Sequence, residues 1–133
     1  MAQRIAYFTL IVDDYDRAIE WYTNTLGFAL IEDTALSATK RWVLIAPPDT
    51  TGSGILIAQA TSTEQVEAIG NQCGGRVFLF LHTDDFIRDH AALKSKGVAF
   101  VREPEQQPWG MVAVFRDLYG NLWDLVEPVA KNN

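Results

Sequence analysis

The stretch Val12 to Phe28, VDDYDRAIEWYTNTLGF, limits the possible folds more than any other, because the chain repeats its logic at Thr83 to Phe100, TDDFIRDHAALKSKGVAF. In each copy an apolar run ends at paired aspartates, an aromatic residue follows, a helical segment carries an arginine, and a glycine closes the unit. Asp13, Asp14, Tyr15 and Arg17 answer to Asp84, Asp85, Phe86 and Arg88 at a constant shift of 71, and one residue is lost before Gly27 meets Gly97. Self-similarity at a fixed period marks a repeated supersecondary unit. The chain is therefore expected to fold as two like halves.

Ile5 to Val12, IAYFTLIV, is too short for a stable helix and rich in β-branched and aromatic residues, so it reads as a strand buried on both faces. Alternation puts Ile5, Tyr7, Thr9 and Ile11 on one face and Ala6, Phe8, Leu10 and Val12 on the other. Asp14 is placed to cap the next helix, whose core stripe is Ala18, Trp21, Tyr22 and Thr25, and Gly27 ends it. After a polar stretch from Glu32 to Lys40, Arg41 to Ala46 is a strand stopped by Pro47 and Pro48, and Ile55 to Ala60 is another. Thr61 to Glu64 has the form of a capping box opening a short helix over Gln65 to Ile69, where the halves join. The second half repeats the pattern with a strand at Arg76 to Thr83, a helix from Phe86 to about Lys96 and a strand at Val98 to Arg102. EPEQQPWG then reads as a proline-interrupted loop, and Met111 to Phe115 with Asn121 to Val126 as a hairpin.

With 133 residues the chain forms a single domain, 1–133, made of module 1–70 and module 71–133. The formal charge of −6 and the scattered basic residues exclude nucleic acid as a partner, because phosphate backbones are gripped by concentrated Lys and Arg. No apolar run approaches the ~20 residues of a membrane span. The lone Cys73 forms no intrachain disulfide and has no nearby residue to activate it, and MAQRIAYF lacks a signal-peptide pattern, so a cytoplasmic location is expected.

The opening residues Asp14, Ala18, Trp21, Tyr22, Leu26, Gly27 and Phe28, with the closing Asp117, Gly120, Asn121, Leu122, Trp123 and Asp124, resemble the vicinal oxygen chelate superfamily. That superfamily includes glyoxalase I, bleomycin-resistance proteins and extradiol dioxygenases. The resemblance implies an α+β fold in which two tandem βαβββ modules form a curved mixed sheet with a cleft, commonly in a homodimer. It also implies four metal-ligand positions. Counting back seven residues from Asp14 and Asp85 gives Tyr7 and Phe78, and matching Gly54 with Gly120 pairs Ala58 with Asp124. One carboxylate among Tyr7, Ala58 and Phe78 is a poor donor set for zinc or iron, so neither a metal nor another cofactor is expected.

What remains is an apolar and aromatic lining. Strand parity puts Tyr7, Thr9, Phe78, Phe80, His82, Leu122 and Asp124 inward, with Arg76 at the rim. Trp109 is expected in a loop, either folding over the cleft or buried at a dimer contact, and Arg41 is a further candidate contact, with pairing to an acidic group or plain surface placement as its alternatives. Asp124 suits an amine or hydroxyl of a ligand, or paired with His82 an acid–base role; the alternatives are a rim carboxylate held by an arginine and a histidine satisfying a backbone carbonyl. His90 falls on the helix stripe with Phe86 and Leu93 and reads as packing. The leading expectation is a metal-free protein that binds a small aromatic or hydrophobic molecule. A lyase, isomerase or dioxygenase of the same fold and a non-catalytic protein-interaction module stay open beside it.

Overall fold

The structure, a computed structural model, describes residues 2–49 and 52–130. Along the first half run β1 (Tyr7–Val12), α1 (Tyr15–Glu20, continued by a π-helical turn over Trp21–Thr25), β2 (Ala29–Ala35), β3 (Arg41–Ala46) and β4 (Gly54–Gln59). The short α2 (Thr63–Ala68) follows, and then β5 (Val77–His82), α3 (Phe86–Ser95), β6 (Phe100–Gln107), β7 (Gly110–Arg116) and β8 (Leu122–Pro128). Contacts divide the chain into one unit ending at Ile69 and another beginning at Gly70. Each unit carries a βαβββ module with its own four-stranded sheet, in the order β1-β4-β3-β2 and β5-β8-β7-β6. β1 runs parallel to β4 and β5 to β8, while the remaining pairs are antiparallel.

The repeat extends to hydrogen bonds. Asp14 Oδ1 accepts the Arg17 amide at 2.9 Å and Asp85 Oδ1 the Arg88 amide at 3.1 Å, each satisfying an orphan donor of the first helical turn. Arg17 pairs with Asp13 at 2.8 Å and Arg88 with Asp84 at 2.9 Å, one turn apart. Tyr15 and Phe86 are both buried. At the far ends Gly27 and Gly97 both take φ +84°, a left-handed conformation that suits glycine. The one-residue difference in length is absorbed by the π turn, where the Leu26 amide donates to Trp21 O at 3.2 Å, five residues back. A π turn is the usual way for a helix to accommodate an extra residue without losing its far cap.

The two cores differ in kind. In the first unit Leu10, Val12, Val43, Ile45, Ile55 and Ile57 bury one face of the sheet, and α1 covers it with Ala18 and Tyr22. The second is a column of rings. His90 lies stacked on Phe86 at 5.5 Å and tilted on Phe100 at 4.5 Å; Phe100 meets Phe115 at 5.8 Å, and Phe115 stacks on Trp123 at 5.9 Å. His90 is thus a packing residue, with its Nε2 buried and unpartnered among the described residues.

Three expectations about elements are corrected. The polar stretch from Glu32 begins inside β2, which runs to Ala35; as an edge strand it is exposed along nearly its whole length and carries no alternation to read. The segment EPEQQPWG is largely strand: β6 continues to Gln107 because its ladder with β7 breaks between Arg102 and Glu105, and Pro104 sits in that irregular stretch at a sheet edge, where it owes no ladder bond. Pro108 and Trp109 form the tight turn between the paired Gln107 and Gly110. α2 begins at Thr63 with Ser62 as its cap, accepting the Gln65 amide at 3.1 Å, while Gln65 Oε1 accepts the Thr61 amide at 2.8 Å.

Candidate functional site

Each sheet has a face turned from its helix, and the ladders fix which residues share it. In the second unit a row crosses the sheet as Phe80, Asp124, Val114 and Arg102, each registered with the next. The equivalent row in the first unit is Thr9, Leu56, Leu44 and Glu32, with Thr9 at the 71-residue shift from Phe80. The ladders therefore set Leu56, rather than Ala58, opposite Asp124 in the repeat; Ala58 is registered with Ile11. Neither Leu56 nor Ala58 offers a donor atom to a metal.

Asp124 is the only acid of its row. It is partly buried, with no hydrogen bond or ion pair among the described residues. Burial pushes its carboxyl above the ordinary aspartate range, and the charge of Arg102 opposes that without reversing it. Beside it on β5, Phe80 is 64% exposed, a large apolar ring left uncovered in this chain. His82 is also exposed, one step further along β5 and registered with Val126; no hydrogen bond joins it to Asp124. On the first sheet Tyr7 and Thr9 are exposed, which corrects the expectation of a first strand buried on both faces, and Tyr7 meets Trp42 edge-on at 6.1 Å.

Three expected contacts are placed elsewhere. Phe78 is the unpaired residue of an irregularity between Val77 and Leu79, and its ring meets Trp123 of the buried column at 6.2 Å; the extra residue breaks the alternation that parity assumed. Arg41 shares parity with the buried Val43 and Ile45, so it lies on the helix side of its sheet. There it bonds Asp33 at 2.6 Å and Asp16 at 2.9 Å and lies over the Tyr15 ring at 5.1 Å. The bond from Arg41 holds Asp33 below the ordinary carboxylate range. Trp109 is 59% exposed, but it belongs to a two-residue turn whose carbonyl accepts the Val129 amide at 2.9 Å, too short and too fixed to act as a lid.

Sequence reasoning missed Arg102 and Arg116. Arg102 falls at the end of the strand the sequence predicts and Arg116 in the predicted turn between Phe115 and Asn121, whereas β6 continues past the one and β7 includes the other. Arg116 and Leu122 are registered partners, as are Leu122 and Val77, which makes the next row of the same open face. Arg76 immediately precedes β5 at that end. No described helix is long and apolar enough to cross a membrane.

A protein of Shewanella frigidimarina is 54% identical over 96% of this chain and 95% of its own length. The solved structure of UcmS2 superposes with a TM-score of 0.83 at 28% identity, covering 96% of this chain and 99% of the other. That of TnmS3, an antibiotic binding protein from Streptomyces sp. CB03234, gives 0.77 at 30% identity over 96% and 98%. The model of one family matches residues 4–125, and with it the chain belongs to the Glyoxalase/Bleomycin resistance protein/Dioxygenase superfamily.

Proposed function

We propose that this chain is a metal-free binding protein for a small aromatic or hydrophobic molecule, held on the open face of the second sheet by Phe80 and Asp124 and, as a homodimer, without chemical change to the ligand. The observation that carries the reading is Asp124, a partly buried carboxylate with no hydrogen-bond or ion-pair partner among the described residues, beside an uncovered ring. An isolated carboxylate in such a place is costly unless something donates to it, and a ligand amine or hydroxyl meets that need. Phe80 supplies an apolar surface and a ring face for stacking. The likeness to TnmS3, an antibiotic binding protein, supports the class of ligand. Leu122, on the same open face of the second sheet, is proposed as a further contact.

The metal of glyoxalase-type enzymes does not fit these residues. Among the described residues no three His, Cys, Asp or Glu side chains come together, and the symmetry-related positions offer one phenol and one carboxylate. An acid–base enzyme using Asp124 and His82 has weaker support, because nothing links the two side chains and His82 stands beyond Asp124 along the face.

The test is thermal-shift screening with a panel of aromatic antibiotics, followed by metal analysis of protein purified without chelator. A true ligand at about 100 times its dissociation constant stabilises the fold by roughly 2.7 kcal/mol. Asp124→Ala should abolish that gain. A panel without effect on the wild type, or stoichiometric transition metal in the purified protein, overturns the proposal.

A further inference from the structure

The second unit contains a cavity of about 290 Å³ at the end of the sheet where β5 and β8 begin, which meets the proposed ligand contacts only at Leu122. It is lined by Gly70, Asn71, Gly75, Arg76, Arg116 and Asn121, among others, and no carboxylate lines it. Two like charges on one small cavity repel each other, and the other arginines without an ion pair among the described residues, Arg4 and Arg102, do not line it. Arg17, Arg41 and Arg88 are each paired with aspartates. Arg76 and Arg116 have no ion-pair partner among the described residues, although the chain carries six more acids than bases.

The loop chemistry around the two arginines is that of an anion cradle. Gly70, Gly75 and Gly120 take φ of +78°, +95° and +102°, so backbone rather than side chain lines much of the wall. A Cβ on Gly70 would stand 2.1 Å from Tyr119 O, which fixes glycine there. The Gly75 amide has no acceptor among the described residues. The wall is rigid because Asp117, buried behind it, accepts the amides of Tyr119, Gly120 and Asn121 at 2.9, 3.0 and 2.9 Å and the Asn121 carboxamide at 3.0 Å. With those donors filling it, Asp117 does not compete for the arginines.

We infer that this cavity binds the oxyanion of a small molecule, a phosphate, sulfate or carboxylate group, between the Arg76 and Arg116 guanidinium groups. Forked guanidinium donors match two-oxygen acceptors in geometry as well as charge, and the cavity volume is at the small end of ligand pockets. The inference stands on this cavity alone, so failure of aromatic ligands to bind beside Asp124 leaves it intact.

The test is a titration of the whole chain with inorganic phosphate, sulfate and benzoate in turn, at constant ionic strength set with chloride, followed by amide and arginine side-chain NMR. Expected are saturable shifts, with low-millimolar midpoints, at Gly70, Gly75, Gly120 and the Nε–H groups of Arg76 and Arg116. Arg76→Ala and Arg116→Ala should each weaken binding about tenfold, the loss of one charge-assisted contact. Arg116→Lys should recover only part of it, since a point charge does not reproduce the fork. Both variants change exposed side chains, and a dispersed spectrum verifies their fold. Tighter binding of benzoate than of the inorganic ions identifies a carboxylate ligand, and the reverse order a phosphate or sulfate. Absence of saturation for all three probes, shifts scattered over lysines, or an unchanged midpoint in the Arg76→Ala or the Arg116→Ala variant overturns the inference.

Discussion

The same row of the repeat reads Thr9, Leu56, Leu44, Glu32 in the first module and Phe80, Asp124, Val114, Arg102 in the second. Backbone ladders of one design thus carry unlike side chains: the first module has an aliphatic pair at the centre where the second has a carboxylate beside a valine. The helix entrances, by contrast, match bond for bond, from the Asp14 and Asp85 caps to the Arg17–Asp13 and Arg88–Asp84 pairs. A cap residue must supply an acceptor to a fixed backbone donor, which leaves few chemical choices. A side chain on an open sheet face has no such obligation. Divergence between the copies is therefore tolerated on the open faces, and under the proposed function that is where a ligand binds.

The buried faces also differ, and the largest predicted effect breaks the molecule there. Phe115 has no exposed surface and sits between Phe100 and Trp123 in the ring column. Phe115→Ala should cost about 3–5 kcal/mol, from lost transfer energy and the cavity left between rings that cannot close on it. Ile45→Val in the first module, an equally buried position, should cost about 0.5–1.5 kcal/mol because a single methyl leaves a gap its aliphatic neighbours can partly fill. Urea unfolding monitored by circular dichroism measures both. Equal losses would show that the ring column is no stiffer than the aliphatic core.

The contrast also explains what the sequence disclosed. Doubling was legible because capping chemistry is local: Asp14 and Arg17 lie three residues apart, and so do Asp85 and Arg88. Central strands such as β3 and β4 were legible because burial writes apolar runs. The edge strands β2 and β6 were not, because they bury little and the acidic residues of β2 and the polar, proline-containing run of β6 resemble loops. At the site, parity identified Asp124 and Phe80 but failed at Phe78, since one unpaired residue in β5 is invisible in composition and reverses every face assignment before it. Arg41 had ligand contact and acid pairing open to it, because its face depends on which side of β3 packs Val43 and Ile45; the structure pairs it with Asp33 and Asp16.

A smaller effect tests whether the modules are one design at the helix as well. The first helix carries one residue more than the second between cap and glycine, and the π turn over Trp21–Thr25 absorbs it. Deleting the exposed Asn24 should convert α1 to the length of α3, removing the π turn and leaving Gly27's role intact, at a cost of about 1 kcal/mol or less. Deleting Lys94 from α3, which has no π turn to lose, should cost more because it rotates Gly97 and the start of β6 out of register. Thermal unfolding of the two deletions decides it; an Asn24 deletion that unfolds the protein would mean the π turn serves the first module in its own right.

The smallest effect concerns Asp124 and has a definite sign. Burial raises its pKa in the folded chain, so the folded state holds this proton more tightly than the unfolded state does. The stabilisation linked to that proton is fully present below the unfolded value of about 3.9 and is lost as pH rises through the folded pKa. At neutral pH the wild type therefore bears the desolvation of a charge, and Asp124→Asn, which has none, should be more stable by roughly 0.5 kcal/mol once solvent screening of this partly exposed group is allowed for. The advantage should shrink steadily on acidification and vanish below about pH 4. Leu56→Asn at the matching position of the first module should show no such pH dependence, since no titrating group is replaced there. Denaturation midpoints measured from pH 4 to 8 give the answer: an advantage for Asp124→Asn that does not vary with pH would mean the carboxylate is already solvated, and the open face of the second module would then be chemically no different from that of the first.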